Sequence, residues 1–424
     1  MVNRVFSPGS DYARMAESLF DELRAMSADV AGVSRPSYGE METQVLAHLE
    51  RVANSAGLAS AYDGAGNLWM GAAGDTTGGE RRIVSGSHAD SVPRGGNFDG
   101  LAGIVAAILC AVRATRDAER PRLPVAALGL RGEESAWFGK AYLGSAALLG
   151  QLTEADLARG HRSTREPLSD YMRRAGVDPA RCLGGKPMID LSGVAAFLEL
   201  HIEQGPMLEE AGRAVGVVTG IRGNFRYRQV RCIGEAGHSG TVPKRLRRDA
   251  VFAVSDLLSR IEEAWEEWLA AGEDLVVTSG MVHTNPDQDA PSIIAGEVGF
   301  SLEVRSQSMA TLERFHRSIL EECASLEQSR GVRFEFGERI DSPSAVMDSA
   351  LSARMAKICR RREIPFIIMP SGAGHDAALF SNAGVPSGMV FVRNAFGSHN
   401  PQESMSIEDF LLAADVLYDC MLSI

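Results

Sequence analysis

The stretch Ile83-Val84-Ser85-Gly86-Ser87-His88-Ala89-Asp90-Ser91-Val92-Pro93-Arg94-Gly95-Gly96-Asn97-Phe98-Asp99-Gly100 decides how this chain is read. A run of β-branched and small residues ends in a histidine, with a carboxylate two residues on. A Pro/Gly-rich turn then leads to a second carboxylate, which opens the apolar helix predicted for Leu101 to Val112. In an extended chain residues i and i+2 point the same way, so Asp90 can fix the tautomer of a ligating His88 imidazole. The layout suggests a metal site, for which the rest of the chain must supply further ligands.

Working outward, Arg81 to Ser87 reads as a strand, 101–115 as a helix and Leu123 to Leu130 as a second strand. That order is a βαβ unit, which predicts a parallel sheet with covering helices. Directly after it come Glu133 and Glu134, adjacent carboxylates that point in different directions, so one can ligate a metal while the other stays free as a base. The strand Val194 to Leu200 delivers His201-Ile202-Glu203-Gln204-Gly205; the run Ile364 to Met369 precedes Ser371-Gly372-Ala373-Gly374-His375-Asp376-Ala377. The strand Gly388 to Val392 precedes Gly397-Ser398-His399-Asn400-Pro401.

Five polar clusters thus follow apolar runs, and in an open α/β sheet they converge on the crevice at the strands' carboxyl ends. The candidate ligands are His88, Asp99, Glu134, His201 and His399. Three imidazoles and two carboxylates suit Zn²⁺, Mn²⁺, Co²⁺ or Ni²⁺ rather than Ca²⁺. With one carboxylate bridging, they fill two sites about 3.5–4 Å apart.

Helical spacing of apolar residues marks 10–32 and 40–56 as amphipathic helices, with His48 a partly buried helix histidine. Residues 59–73 read as a hairpin, and 151–190 as polar, broken chain with short helical pieces, placing His161 on the surface. From about 218 the texture changes: Phe225 to Cys232 alternates as a strand, Gly237-His238-Ser239-Gly240 is a turn, and Arg248 to Leu269 a long helix. Strands Leu275 to Val282 and Glu297 to Arg305 and a helix Met309 to Leu326 follow. This predicts an α/β sandwich inserted over 218–334, with 1–217 and 335–424 forming the domain that holds the clusters. Helices Ser349 to Arg361 and Ser406 to Leu422 belong to the latter.

At 424 residues the chain exceeds the ~250–300 at which single cores stop growing, consistent with two domains. A net charge of -12 argues against a nucleic-acid partner, and the one basic run, Lys244 to Arg248, reads as a solvated patch. Six scattered cysteines without Cys-X-X-Cys spacing indicate a reducing compartment. The start of the chain, with Arg4, Asp11, Arg14 and Glu17, has no signal-peptide core, and no stretch approaches ~18 uninterrupted apolar residues, so a cytoplasmic protein without membrane contact is expected.

The chain resembles the hydantoinase/carbamoylase branch of the dinuclear metallo-aminoacylase and peptidase M20 family, which includes N-carbamoyl-L-amino acid hydrolases, β-ureidopropionase and allantoate amidohydrolase. The resemblance covers nearly the whole chain. It rests on Gly86 to Pro93, Asn97-Phe98-Asp99-Gly100, Glu133-Glu134, Glu199 to Pro206, Gly237 to Gly240, Arg247 to Ala250, Ser371 to Ala377 and Ser398 to Pro401. His-Ile-Glu-Gln-Gly at 201–205 is the most specific, since the peptidases more often place a carboxylate at that metal position.

The resemblance implies a mixed, mostly parallel α/β catalytic domain with an inserted lid and dimerisation domain. It implies an amidohydrolase of class EC 3.5.1.- for linear ureido or carbamoyl substrates, working as a homodimer with two divalent ions per subunit. His88 and His201 would hold one ion, Glu134 and His399 the other, and Asp99 would bridge. Glu133 would be the general base, Asp90 would orient His88, and His238 would enter the neighbouring subunit's site to stabilise the oxyanion. Gln204 would bind the carbamoyl end and Arg305 the substrate carboxylate, with Ser292 and His375 among the substrate residues.

Two departures fall on the substrate side. The family's Asn-Val-Ile-Pro-Gly segment is Ser292-Ile293-Ile294-Ala295-Gly296, and its Thr-Thr-Pro-Met run is Thr241-Val242-Pro243-Lys244. A serine is shorter and removes an amide donor, which leaves the substrate open. An aminoacylase or dipeptidase, and a non-catalytic dimeric relative, are the alternatives; Gln204 and His201 disfavour the first and Glu133 the second.

Overall fold

The computed structural model describes residues 6–72 and 80–424. Arg4 and residue 73, the end of the expected hairpin, lie outside the described residues. The chain divides into two compact units, Met1–Gly220 with Val346–Ile424, and Ile221–Ala345.

In the first unit the strand Arg82–His88 is buried at every position. Such a strand needs no alternation, because both faces of a parallel sheet are covered by helices. It pairs in parallel with Val125–Leu130 on one side and Val194–Ile202 on the other, and Ser387–Val392 continues the parallel run beyond Val194–Ile202. Antiparallel strands flank this centre: Leu68–Gly71 and Ala59–Tyr62 at one edge, Val215–Ile221 at the other. The result is a mixed α/β sheet whose central strands are parallel.

The helix Leu101–Arg116 returns the chain from His88 to Val125–Leu130 and is buried along nearly its whole length. Leu101, Ile104, Val105, Ile108, Leu109 and Val112 each contribute about 1.5–3 kcal/mol of burial free energy. It starts at Gly100, whose φ of +68° and the 2.4 Å that a Cβ would leave to the His88 ring admit only glycine. Helices Asp11–Met26, Ser349–Arg361 and Ile407–Leu422 share this core through Leu19, Met355 and Leu417.

The second unit is built on Gly223–Ile233, which pairs antiparallel with Glu297–Ser306, Arg333–Phe336 and Arg339–Ser342. Alternation decides its faces. Val230, Cys232, Val304 and Phe300 pack under helices Ala250–Ala270 and Met309–Arg330 through Leu257 and Phe315, while Arg231 pairs with Glu297 at 2.7 Å among partly exposed side chains.

The structure departs from the sequence reading in several places. The inserted unit runs on to Ala345 because Arg339–Ser342 joins its central strand. Residues 275–282 are not one strand: Val276–Thr278 and Val282–His283 are separated where Met281 bonds Ser301, beside a register shift between Phe300 and Leu302. Gly237–His238 is a two-residue strand paired with Ile293–Ile294 rather than a turn. His161 is buried, 5% exposed, stacked between Trp137 and Tyr171. All six cysteines are buried and unpaired. Among the described residues no helix is long and apolar enough to cross a membrane.

Candidate metal centre

Each candidate ligand is delivered by the end of a sheet strand or by the loop after it. His88 ends Arg82–His88, Glu134 follows Val125–Leu130, His201 is the penultimate residue of Val194–Ile202, and His399 lies beyond Ser387–Val392. Asp99 stands before the helix Leu101–Arg116.

The five side chains meet around the Asp99 carboxylate. Oδ1 lies 3.1 Å from His201 Nε2 and 3.5 Å from His88 Nε2, and these two nitrogens are 3.4 Å apart. Oδ2 lies 3.3 Å from His399 Nε2, which is also 3.3 Å from Glu134 Oε1. These five make two groups of ligand atoms, His88 with Asp99 and His201, and Asp99 with Glu134 and His399; a third group among the described residues joins His201 to Glu199 and His375. The first is buried, while the His399 side chain is 52% exposed and opens the second to solvent.

The donor chemistry fits a cation in each group. His201 Nδ1 lies 2.8 Å from the Ile202 carbonyl, and His88 Nδ1 faces the Asp90 carbonyl at 3.2 Å and its carboxylate at 3.3 Å. Nδ1–H therefore donates in both rings, which leaves each Nε2 an acceptor beside Asp99 Oδ1, that of His201 also taking the Gly100 N–H at 3.2 Å. Asp99 Oδ1 and Glu134 Oε1 are buried without a hydrogen-bond donor. Such convergence of acceptors is stable only with positive charge among them. Protons supply it otherwise: Asp99 and Glu134 push His399 up to about 11. Although burial opposes it, the imidazoles of His201, His399 and His88 hold Asp99 well below the usual carboxylate range.

Glu133 belongs to neither group; its Oε2 stands 4.0 Å from His88 Nε2. Burial, reinforced by Glu134 and opposed by His88, pushes its carboxyl well above the usual range. Asp90 holds this corner. It accepts the backbone N–H groups of Glu133 and Glu134 at 3.0 and 3.2 Å and the Ser37 hydroxyl at 2.6 Å.

A profile described as Peptidase family M20/M25/M40 matches residues 84–423. The chain belongs to this family. It is 30% identical to the allantoate amidohydrolase of Escherichia coli K12 over 94% of each chain. It is 33% identical to the N-carbamoyl-L-amino acid amidohydrolase of Geobacillus stearothermophilus over 91% of this chain and 92% of that protein. A solved hydantoinase/carbamoylase family amidase from Burkholderia multivorans superposes with a TM-score of 0.85 at 28% identity, over 97% of both chains.

Other site candidates of this M20 chain fall in three places. Gln204 donates through Nε2 to Asp99 Oδ2 at 2.9 Å, while its Oε1 is buried without a donor. His375, expected among the substrate residues, is buried beside His201, with ring centres 4.4 Å apart and Nε2 2.9 Å from Ser371 Oγ. His238, Ser292 and Arg305 belong to the second unit. There the Ser292 carbonyl accepts the Ser239 N–H at 2.9 Å and His238 pairs with Ile293. Arg305 sits near the far end of Glu297–Ser306, bonded to Glu303 at 2.9 Å.

Several supporting residues carry no local signal in the sequence. Glu403 accepts the backbone N–H groups of Phe98 and Asp99 at 2.8 and 3.2 Å and the Ser398 hydroxyl at 2.7 Å, tying the segment of Asp99 to that of His399. Glu42 accepts Gly132 N–H at 2.8 Å and Arg131 Nη1 at 2.7 Å, fixing the end of the strand before Glu133. Trp137 donates its indole N–H to the Ser91 carbonyl at 2.7 Å. Glu403, four residues after His399, and Trp137, three after Glu134, lie near motifs, whereas Glu42 is far from any.

Proposed function

We propose that this M20 chain is a dinuclear-metal amidohydrolase that cleaves the C–N bond of linear ureido or carbamoyl compounds. The observation that carries the reading is the division of the Asp99 carboxylate, one oxygen toward His88 and His201 and the other toward His399 and beside Glu134, with Glu133 free at its edge. His88, His201 and Asp99 would hold one divalent ion, and Asp99, Glu134 and His399 the other; Zn²⁺, Mn²⁺, Co²⁺ and Ni²⁺ all suit these donors. When bound, such a pair polarises the scissile carbonyl and lowers the pKa of water to roughly 7.

The protein's own residues do the rest. Glu133, its carboxyl raised by burial, takes the proton of the attacking water and passes it to the departing nitrogen. Gln204 gives the substrate its class. With one Nε2–H on Asp99 fixing the amide's orientation, the donor-less Oε1 is an acceptor for the terminal NH₂ of a carbamoyl or ureido group. An N-acyl amino acid ends in carbon there and would leave that oxygen unpaired, which disfavours the aminoacylase reading. The relatives named allantoate amidohydrolase and N-carbamoyl-L-amino acid amidohydrolase support the same class.

The second unit supplies an argument for a dimer. His238, paired with Ile293, and the neighbouring Ser292 lie beside the start of Glu297–Ser306, and Arg305 lies near its end, roughly 25 Å away along an extended strand. No small substrate reaches both from one copy. His238 and Ser292 would serve the neighbouring subunit's site, where the Gly240 N–H on His238 Nδ1 at 3.1 Å leaves Nε2–H to donate to the oxyanion. Arg305 would pair with the substrate carboxylate.

The test is turnover of N-carbamoyl-amino acids, β-ureidopropionate, allantoate and N-acetyl-amino acids by metal-stripped enzyme given Mn²⁺, Co²⁺, Ni²⁺ or Zn²⁺. Hydrolysis confined to the ureido and carbamoyl compounds is expected. A preference for N-acetyl substrates would replace the reading with an aminoacylase, and no turnover of any would leave a non-catalytic relative.

A further inference from the structure

We infer that Asn394 is a positioning residue that sets two arms of the site at once, the substrate arm of Gln204 and the metal arm of His399. The inference rests on the function proposed above. Asn394 is 1% exposed. Its Oδ1 accepts the backbone N–H of Gln204 at 3.0 Å, and its Nδ2 donates to the Gly397 carbonyl at 2.6 Å. A backbone N–H can only donate and a carbonyl only accept, so these partners fix the orientation of the amide.

Both partners need fixing. Gln204, Phe396 and His399 have φ of +64°, +65° and +61°, in the left-handed region that residues other than glycine seldom occupy. Backbone held there relaxes unless its surroundings over-determine it. Asn394 supplies that restraint on both sides of the crevice. Gln204 then reaches Asp99 Oδ2 with Nε2 at 2.9 Å, and the segment after Gly397 reaches the same oxygen with Ser398 Oγ at 2.6 Å and His399 Nε2 at 3.3 Å. Three contacts on one carboxylate oxygen thus come from the two segments that this buried amide joins; Asn400 Nδ2, on the Phe396 and Ser398 carbonyls, holds only the second of them. Asn394 itself is anchored by the short pairing of Asn394–Ala395 with Ser404–Met405, in the segment that holds Glu403.

The two halves of the amide can be separated. Asn394→Asp keeps an oxygen for the Gln204 N–H but removes the donor to Gly397; Asn394→Ala removes both. Metal-stripped protein is titrated with Zn²⁺ by calorimetry with elemental analysis, and kcat and KM are measured on an N-carbamoyl amino acid. Hydrogen exchange is followed in peptides covering 203–208 and 395–400. Both variants are expected to weaken one of two ions tenfold or more and leave the other within twofold. KM should rise fivefold or more in Asn394→Ala alone. Exchange at 395–400 should quicken in both variants and at 203–208 only in Asn394→Ala. Equal weakening of both ions, or unchanged metal binding and exchange with only a lower unfolding midpoint, would overturn the inference. Should wild-type enzyme hydrolyse no ureido or carbamoyl compound, the proposed function fails, while the titration and exchange still decide Asn394.

Discussion

The Oδ1 oxygen of Asp90 accepts the backbone N–H of Glu133 at 3.0 Å, so the residue that faces His88 Nδ1 also sets where the free glutamate begins. Its Oδ2 takes Glu134 N–H at 3.2 Å in the same way. One carboxylate therefore couples the His88 imidazole to the backbone of Glu134 and Glu133, the proposed ligand and the proposed base. Asp90→Asn would turn an NH₂ toward one of those amides. It should lower turnover by about 10²-fold and metal affinity by about 10–100-fold, the usual range for a group that orients ligands. Elemental analysis and kinetics at saturating metal check this; wild-type values for both would reduce Asp90 to a tautomer anchor.

Glu133→Gln should retain metal and lose about 10²–10⁴ in turnover, the usual contribution of a positioned general base. The pH profile gives a second readout. A base must be deprotonated to act, so kcat/KM rises with pH through its pKa. Burial raises that pKa, so the acidic limb should lie above the ordinary carboxylate range and vanish in the variant. Unchanged metal content with wild-type turnover would remove Glu133 from the mechanism.

Asp99→Ala should lose both ions, because its two oxygens serve different imidazole sets. His399→Ala should lose one, since it touches only Oδ2 and Glu134. Two metals per chain retained in Asp99→Ala would count against the bridge.

Mixing Glu133→Gln with His238→Ala under subunit exchange tests completion of the site across a dimer. In a mixed dimer one site would combine an intact Glu133 with an intact His238, and the other would carry both defects. Random exchange at equal mixing should restore about a quarter of wild-type activity. No recovery, with exchange confirmed by mass, would place His238 within its own chain or outside the mechanism.

The sequence by itself determined the βαβ core, the helix bounds at Ser349–Arg361 and the polar clusters at strand ends. Each is local: period 2 or 3.6 and the residue after an apolar run are properties of neighbours in the chain. His201 was found this way although its strand runs on to Ile202. Only the tertiary structure decided which atoms meet. Glu403 reaches Asp99 across 304 residues, Asn394 reaches Gln204 across 190, and Arg131 reaches Glu42 across 89. Such bonds form wherever a buried polar group needs a partner, and no spacing encodes them. The same cause misplaced His161, whose polar neighbourhood in sequence hid the aromatic packing that buries it. The sharing of Asp99 between two imidazole sets is likewise a matter of distances, set by strands that the sheet brings side by side.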